Sequence, residues 1–227
     1  MHHPAHPVLP ILLAFVFILY PGDGRAQASQ EPDSIHRING SIDFHQSDPP
    51  GTELKTVNGG VKVQSGSKAG AISTVNGPIR VAGPASLQAA QTVNGTITIG
   101  ANASVEGTVQ AVNGGITLES GSEVQGNVAT VNGLIRLEGA SVNGSIKTVN
   151  GNVLIRERST IGGDVTFSEA GVESGWLHRL FGFGNGSQRS RLDIGADVVI
   201  GGDIHLYREV DLHIDDSAIT GDIIRHY

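Results

Sequence analysis

Short runs of alternating apolar and polar residues recur through the middle of the chain. They fall at residues 61–63, 79–81, 97–99, 116–118 and 135–137. Alternation with a period of two places the branched side chains on one face and the intervening residues on the other, which is typical of a half-buried strand. The sequence therefore predicts a series of short strands that share an apolar inner face.

A Val-Asn-Gly phrase precedes each of these runs at a nearly fixed period. Its asparagines recur every eighteen or nineteen residues: Asn58, Asn76, Asn94, Asn113, Asn132 and Asn150. A second glycine corner lies seven residues before several of the phrases, as in Val-Gln-Gly-Asn-Val at 124–128. Self-similarity at a short fixed period indicates a solenoid, in which each repeat buries its apolar face against its neighbours.

A repeat of this length is too short for the crossover of a βαβ unit, which favours an all-β, single-stranded parallel β-helix with rungs of about 18–19 residues. Roughly nine rungs stacked about 4.8 Å apart would extend on the order of 45 Å. The six asparagines would stack at one corner and hydrogen-bond along the axis, so we interpret them as structural residues rather than a binding site. The Asn-Gly pair is expected to turn this corner by adopting positive φ.

The N-terminal segment predicts export. An apolar run at 8–20, interrupted only by Pro10, is followed by Pro21 and by the small-x-small sequence at 26–28. This is the order of a secretory signal peptide, and the apolar run is too short to span a bilayer. We predict a signal peptide at 1–28, cleaved after Ala28, with no transmembrane span left after cleavage and a periplasmic or cell-surface location. An uncleaved N-terminal anchor is the alternative.

The rest of the chain divides into four predicted parts. A linker and N-terminal capping rung at 29–50 contains a first copy of the phrase at Asn39, and the regular β-helix follows at 51–167. A non-repetitive insertion at 168–191 separates it from C-terminal rungs and a cap at 192–227. Terminal rungs of repeat proteins are atypical because one of their faces meets water.

The insertion concentrates large apolar side chains in a chain that has few of them. They are Trp176, Leu177, Leu180, Phe181 and Phe183. Two interpretations remain open: the segment packs back on the side of the solenoid, or it is an exposed surface that docks a partner or a membrane.

Composition narrows the possible functions. The 227 residues include 32 glycines and no cysteine, and the formal net charge is −7, which argues against a nucleic-acid partner because such a partner requires a basic surface. No Ser-His-Asp spacing, phosphate-binding Gly-Lys pair or zinc-ligand cluster is found, so we predict no catalytic residues and no cofactor.

Acyltransferases built from hexapeptide repeats place an aliphatic residue at every sixth position. The glycine corners of this chain instead alternate between a short and a longer spacing, as at Gly107, Gly114, Gly126 and Gly133.

Three aspartates share one place in a Gly-Asp corner of the later repeats: Asp164, Asp203 and Asp222. A stacked carboxylate column, with His205 and His213 nearby, would suit a cation, whereas Gly-Asp is also ordinary turn chemistry. Stacked like charges are unfavourable unless neutralised, and the insertion argues against alignment of Asp164 with the other two. We therefore predict no metal site.

Because its short rungs carry Val-x-Gly-x-Val/Ile corners, the region 38–223 resembles bactofilins, polymer-forming bacterial cytoskeletal proteins. It also resembles adhesin-type domains that repeat Val-Asn-Gly before short strands. The bactofilin resemblance implies a right-handed β-helix that joins end to end into nucleotide-free filaments.

Together these features predict an exported, non-enzymatic β-solenoid that acts as an envelope scaffold or adhesin-like interaction surface. Its expected partners are an envelope protein or polysaccharide, or a second copy joined through the terminal rungs. The alternatives are a bactofilin-like polymer and, less favoured, an envelope carbohydrate-binding protein or enzyme that uses Trp176 and His178.

Overall fold

The computed structural model describes residues 33–169 and 189–227. These residues form 24 short strands and no helix. The predicted signal peptide at 1–28 and the aromatic residues of the insertion lie outside the described residues. The prediction of an all-β parallel β-solenoid is confirmed, and the right-handed sense stays an expectation from the resemblance.

The strands follow one another at the spacing that the repeat predicts. The first twelve are β1 (Ser34–Asn39), β2 (Ile42–Phe44), β3 (Thr52–Asn58), β4 (Val61–Val63), β5 (Lys68–Asn76), β6 (Ile79–Val81), β7 (Ser86–Asn94), β8 (Ile97–Ile99), β9 (Ser104–Val105), β10 (Val109–Asn113), β11 (Ile116–Leu118) and β12 (Glu123–Val124). The others are β13 (Val128–Asn132), β14 (Leu134–Glu138), β15 (Ser141–Val142), β16 (Ile146–Thr148), β17 (Asn152–Arg156), β18 (Thr160–Ile161), β19 (Val165–Phe167), β20 (Ser190–Ile194), β21 (Val199–Ile200), β22 (Ile204–Leu206), β23 (Val210–Ile214) and β24 (Ile223–Arg225).

The strands form two parallel sheets that run along the solenoid. The smaller sheet has nine strands, one for each turn, in the order β2-β4-β6-β8-β11-β14-β17-β20-β23. The larger sheet has 15 strands, because most turns contribute two short strands to it. Nine turns agree with the number of rungs expected from the sequence.

Stacked columns of aliphatic side chains form the core. Ile97, Ile116 and Ile135 pair directly in successive strands, and all three are fully buried. Most positions in these columns are aliphatic, and Phe44 and Phe167 add two fully buried aromatic side chains to the narrow core. Full burial of one such side chain stabilises the fold by about 1.5–3 kcal/mol.

The insertion leaves the stacking of the rungs intact. Strand β17 pairs with β20 and strand β19 pairs with β22, so Val153 lies opposite Leu192 and Val165 lies opposite Ile204. Each of these pairs is separated along the chain by about twice the usual repeat, yet the rungs on either side of the insertion keep one register. Asp164 and Asp203 consequently occupy equivalent positions, contrary to the expectation that the insertion takes Asp164 out of line.

Candidate interaction surfaces

The asparagines of the Val-Asn-Gly phrase form a continuous hydrogen-bonded column on the outside of the solenoid. Each Nδ2 donates to the Oδ1 of the asparagine one rung before it, over 2.8–3.1 Å. We call this column the amide ladder; its members are Asn39, Asn58, Asn76, Asn94, Asn113, Asn132 and Asn150. All six bonds point the same way. The Nδ2 of Asn39 therefore donates to no other ladder asparagine, and we call this the donor end; the Oδ1 of Asn150 accepts from no other ladder asparagine, and we call this the acceptor end. Bonds in such a chain polarise and strengthen one another.

The glycine beside each ladder asparagine is required for a different reason from the one the sequence suggested. Gly59, Gly77, Gly95, Gly114, Gly133 and Gly151 do not adopt positive φ; in this column only Gly40 does, at 102°. A Cβ on Gly114 would lie 1.7 Å from the carbonyl oxygen of Gly95. The prediction of positive φ is therefore wrong for these corners, and close approach of stacked backbones excludes a side chain.

Inside the same corner, threonine hydroxyl groups join consecutive rungs. The Oγ1 atoms of Thr56, Thr74, Thr92 and Thr130 donate to the carbonyl oxygens of Gly40, Gly59, Gly77 and Gly114 over 3.0–3.2 Å. These threonines are buried, so their hydroxyl groups need such partners. Sequence analysis missed them, although threonine precedes Val-Asn-Gly in most copies of the phrase.

Arg208 closes the acceptor end of the amide ladder. Its Nη1 donates to the Oδ1 of Asn150 and, over 2.9 Å, to the carbonyl oxygen of Val149. In the strand register, Arg208 stands two rungs beyond Asn150, and Glu169 occupies the position between them. A guanidinium at the acceptor end of aligned amides makes charge-assisted hydrogen bonds, which are stronger than those between neutral groups.

A column of apolar side chains runs beside the ladder on the outer face. The valines of the phrase are half-buried in most rungs, whereas the equivalent residue of the first rung, Ile38, is 73% exposed. Strand β1, which contains Ile38, is an edge of the larger sheet. The N-terminal edge of the described solenoid thus presents an apolar side chain beside the donor end of the ladder.

A second side-chain ladder explains the Gly-Asp corners. The backbone N–H of Asp203 donates to the Oδ1 of Asp164 over 3.0 Å, and that of Asp222 donates to the Oδ1 of Asp203 over 2.9 Å. Earlier rungs do the same with Ser145 and Asn127, whose side-chain oxygens accept from the next rung. A short side chain with an oxygen acceptor satisfies this position, and backbone donors partly offset the repulsion between the carboxylates.

Neither predicted histidine neighbour completes a carboxylate cation site. His205 lies beside Asp164, with its Nε2 4.0 Å from the Oδ2. His213 lies on β23 of the other sheet, so the expectation that it stands near the aspartates is wrong. Among residues 33–169 and 189–227, no group of three or more His, Cys, Asp or Glu side chains is arranged to hold a metal ion.

The C-terminal rung leaves apolar side chains uncovered. Ile219 is 64% exposed, Ile223 is 36% exposed and Tyr227 is 58% exposed, although Ile200 and Ile204 in the preceding rung are almost fully buried. Strands β23 and β24 are the last strands of their sheets. We call β23, β24, Ile219 and Tyr227 the C-terminal edge.

A shallow depression of about 290 Å³ adjoins this edge. Arg189, Glu209, Val210, Asp211 and Tyr227 line it, and Arg189 pairs with Glu209 over 3.1 Å. The depression brings together one cation, two carboxylates and a phenol, without a nucleophile beside a base. The depression places these polar side chains beside the apolar C-terminal edge.

The predicted partner residues Trp176, Leu177, Leu180, Phe181 and Phe183 lie outside the described residues, so both interpretations of the insertion stay predictions. In the part of the chain that the structure describes, no helix has the length and apolar character needed to cross a membrane.

Comparisons with known proteins gave no match to this chain. No family model matches it, and no curated protein or solved structure does so either.

Proposed function

We propose that this protein is an exported, non-enzymatic scaffold of the bacterial envelope that acts by presenting an interaction surface. The C-terminal edge carries this proposal, because it combines exposed isoleucines with the last strands that the two described sheets contain. An unpaired strand edge is a template for another strand, and exposed apolar side chains add burial when it is covered.

The partner class that fits the C-terminal edge best is a protein strand. β23 and β24 offer backbone groups along both sheets, so an added strand would continue the parallel pairing of the solenoid. Ile223 continues the buried column of Ile204, whereas Ile219 lies beside Val199 on the outer face. An added strand with an apolar residue opposite Ile223 would therefore extend the inner column and cover it. An envelope protein, an adhesin-type contact or a second copy of this chain would meet this requirement.

Export is supported by the N-terminal sequence alone. The order of apolar run, helix breaker and small-x-small site at 1–28 is that of a signal peptide. Mass spectrometry of the protein recovered from an envelope fraction should show a chain that begins at Ser29. Recovery of an intact N-terminus in the cytoplasm would reject export, and an intact N-terminus in the membrane fraction would indicate the anchor.

A bactofilin-like polymer is the second candidate, and exposure at both edges favours it. Ile38 on β1 is 73% exposed at the N-terminal edge, and Ile219 is 64% exposed at the C-terminal edge. Both edges end in parallel strands of the larger sheet, so one molecule could extend the sheets of the next.

Sedimentation velocity over a wide concentration range, with electron microscopy of the same samples, separates these functions. The wild type is compared with Ile38→Lys and Ile219→Lys, which place one charge at either edge. Head-to-tail filaments would be lost in both variants, whereas a dimer through the C-terminal edge would be lost only in Ile219→Lys. A monomer at every concentration would reject self-association, and the scaffold function would then require a different partner at this edge.

A further inference from the structure

Two histidines on the larger sheet face each other across the last pair of strands. His205 lies on β22 and His226 follows β24, and the Nδ1 of His205 is 3.2 Å from the Nε2 of His226. The two rings are stacked with their centroids 5.5 Å apart. Neither the proposed scaffold function nor the pairing of the strands requires imidazoles at these two positions.

The separation of the two nitrogens matches that of two ligands on one metal ion. Imidazole nitrogens bind Zn²⁺ at about 2.0–2.1 Å in tetrahedral geometry, which places two of them about 3.3 Å apart. The two rings are stacked at an interplanar angle of 26°, so metal binding requires them to rotate about their last side-chain torsions until both lone pairs meet at one point. Imidazole is a suitable ligand for Zn²⁺, Cu²⁺ and Ni²⁺.

Each ring has a neighbouring side chain besides the other imidazole. The Oδ2 of Asp164 lies 4.0 Å from the Nε2 of His205, the nitrogen that does not face His226. At this distance the carboxylate acts on the imidazole through its charge rather than through a hydrogen bond, and it favours the tautomer that carries the proton on Nε2 and leaves Nδ1 to bind a metal. The other oxygen of Asp164 accepts a backbone hydrogen bond from Asp203, so the carboxylate is fixed in turn. Tyr207 stacks on His226 with a centroid distance of 4.1 Å and an interplanar angle of 5°.

We propose that His205 and His226 form a binding site for a divalent transition-metal ion, with Asp164 positioning the ring of His205. Water molecules fill the remaining coordination positions, because both rings lie on the outer surface. The bound ion ties the segment after β24 to β22. This inference goes beyond the proposed scaffold function and does not depend on it.

Paramagnetic Cu²⁺ locates the site in residues 29–227, which lack the strong Cu²⁺ site that the N-terminal amine of the full chain forms with His3. Substoichiometric Cu²⁺ should broaden the backbone amide signals of residues 204–207 and 224–227 in the ¹⁵N-labelled protein, and excess Zn²⁺ should restore them. His205→Gln and His226→Gln should each weaken the affinity measured at these signals at least tenfold. His213→Gln is the matched control, because His213 is also exposed near the C-terminal edge but lies on the other sheet.

Asp164→Asn tests the positioning role separately. The asparagine keeps the oxygen that accepts from Asp203 and removes the charge behind His205, so the affinity should fall about tenfold while the fold is retained. An affinity unchanged in either histidine variant would overturn the site, as would broadening that disappears in His213→Gln. An affinity unchanged in Asp164→Asn would overturn the role of Asp164.

Discussion

The rungs before the insertion and the rungs after it build the same backbone with different side chains. The earlier rungs stack neutral amides, with six Asn–Asn hydrogen bonds along one corner. The later rungs contain no ladder asparagine, and a cluster of charged side chains joins β17 to β20 across the insertion. Asp193, only 8% exposed, pairs with Arg156 over 3.0 Å and with Arg191 over 3.6 Å.

This difference distinguishes what the strand register requires from what the side chain at the corner requires. In a regular repeat the same residues meet both requirements. Parallel register depends on backbone spacing and on columns of aliphatic side chains, which both regions keep. The side chain at the corner is variable, provided that each rung offers an acceptor or a charge that the next rung can use. The earlier region meets this requirement with neutral amides, and the later region meets it with carboxylates and guanidinium groups.

The largest expected effect is at a glycine of the earlier region. In Gly114→Ala the new Cβ meets the carbonyl oxygen of Gly95, and neither backbone can move without disturbing the stack. We expect a loss of at least about 3 kcal/mol in the free energy of unfolding, measured by chemical denaturation. Gly115→Ala is the control, because its Cβ would lie 3.1 Å from the nearest atom. Equal effects in the two variants would contradict the role of backbone approach.

A charge placed within the amide ladder should have the next largest effect. Asn113→Asp removes the donor to Asn94 and sets two oxygens against each other, which costs about 2 kcal/mol near neutral pH. The repulsion raises the pKa of the introduced carboxyl in the folded state, so stability should return as the pH falls and the protonated carboxyl can donate. Denaturation curves at several pH values test this.

The matched control for that variant is Asn102→Asp, which lies outside the ladder at a turn with φ 59°. Aspartate tolerates this conformation as asparagine does, so little change is expected. A loss in Asn113→Asp that persists in acid would contradict the hydrogen-bonded ladder as its cause.

The junction between the two regions should show a moderate effect. Arg208→Gln removes the charge at the acceptor end of the ladder and should cost about 1–2 kcal/mol of unfolding free energy. The control is Arg189→Gln, whose ion pair with Glu209 has both side chains about two-thirds exposed, so it should cost about 0.5 kcal/mol or less. If Arg189→Gln lowered the free energy of unfolding more than Arg208→Gln, Arg208 would not stabilise the amide ladder.

The smallest effect is expected in the last rung and depends on pH. Hydrogen bonds from the backbone N–H and the hydroxyl group of Ser217 lower the pKa of Asp215 below its ordinary 3.8. A lowered folded-state pKa adds stability above 3.8, and this stability is lost as the pH falls through the lowered value. Asp215→Asn should therefore be slightly less stable than wild type near neutral pH and equally stable in acid.

Thermal unfolding near neutral pH and in acid measures that difference. Asp216→Asn provides the comparison, since no hydrogen bond to its carboxylate is found among the described residues, and it should follow the wild type under both conditions. A difference in melting temperature between Asp215→Asn and wild type that widens in acid would contradict a lowered pKa at Asp215.

The fold was predictable from sequence because the repeat encodes it locally. The period of the asparagines and the alternation after each Val-Asn-Gly specify rung length, strand position and inner face. The reason for the glycines was not predictable in the same way, because the 1.7 Å conflict at Gly114 involves a backbone atom of another rung. From the sequence of one rung alone, a need for positive φ explains the glycine after each ladder asparagine equally well.

Contacts that cross the insertion were also beyond the sequence. Arg208 meets Asn150 across 58 residues. Asp164 and Asp203 are in register because the chain leaves and re-enters the stack without shifting it. A pattern search assumes a constant period, so these pairs become visible only when the insertion is removed from the count.

The nearly identical neighbours above and below each middle rung have an evolutionary consequence. A duplication or deletion of one complete repeat, such as residues 95–113, would return every column to an equivalent partner and leave both terminal edges unchanged. Genes that encode such arrays can therefore change length by unequal recombination in steps of one rung. The reach of the molecule is then a property that selection can adjust separately from what its ends recognise.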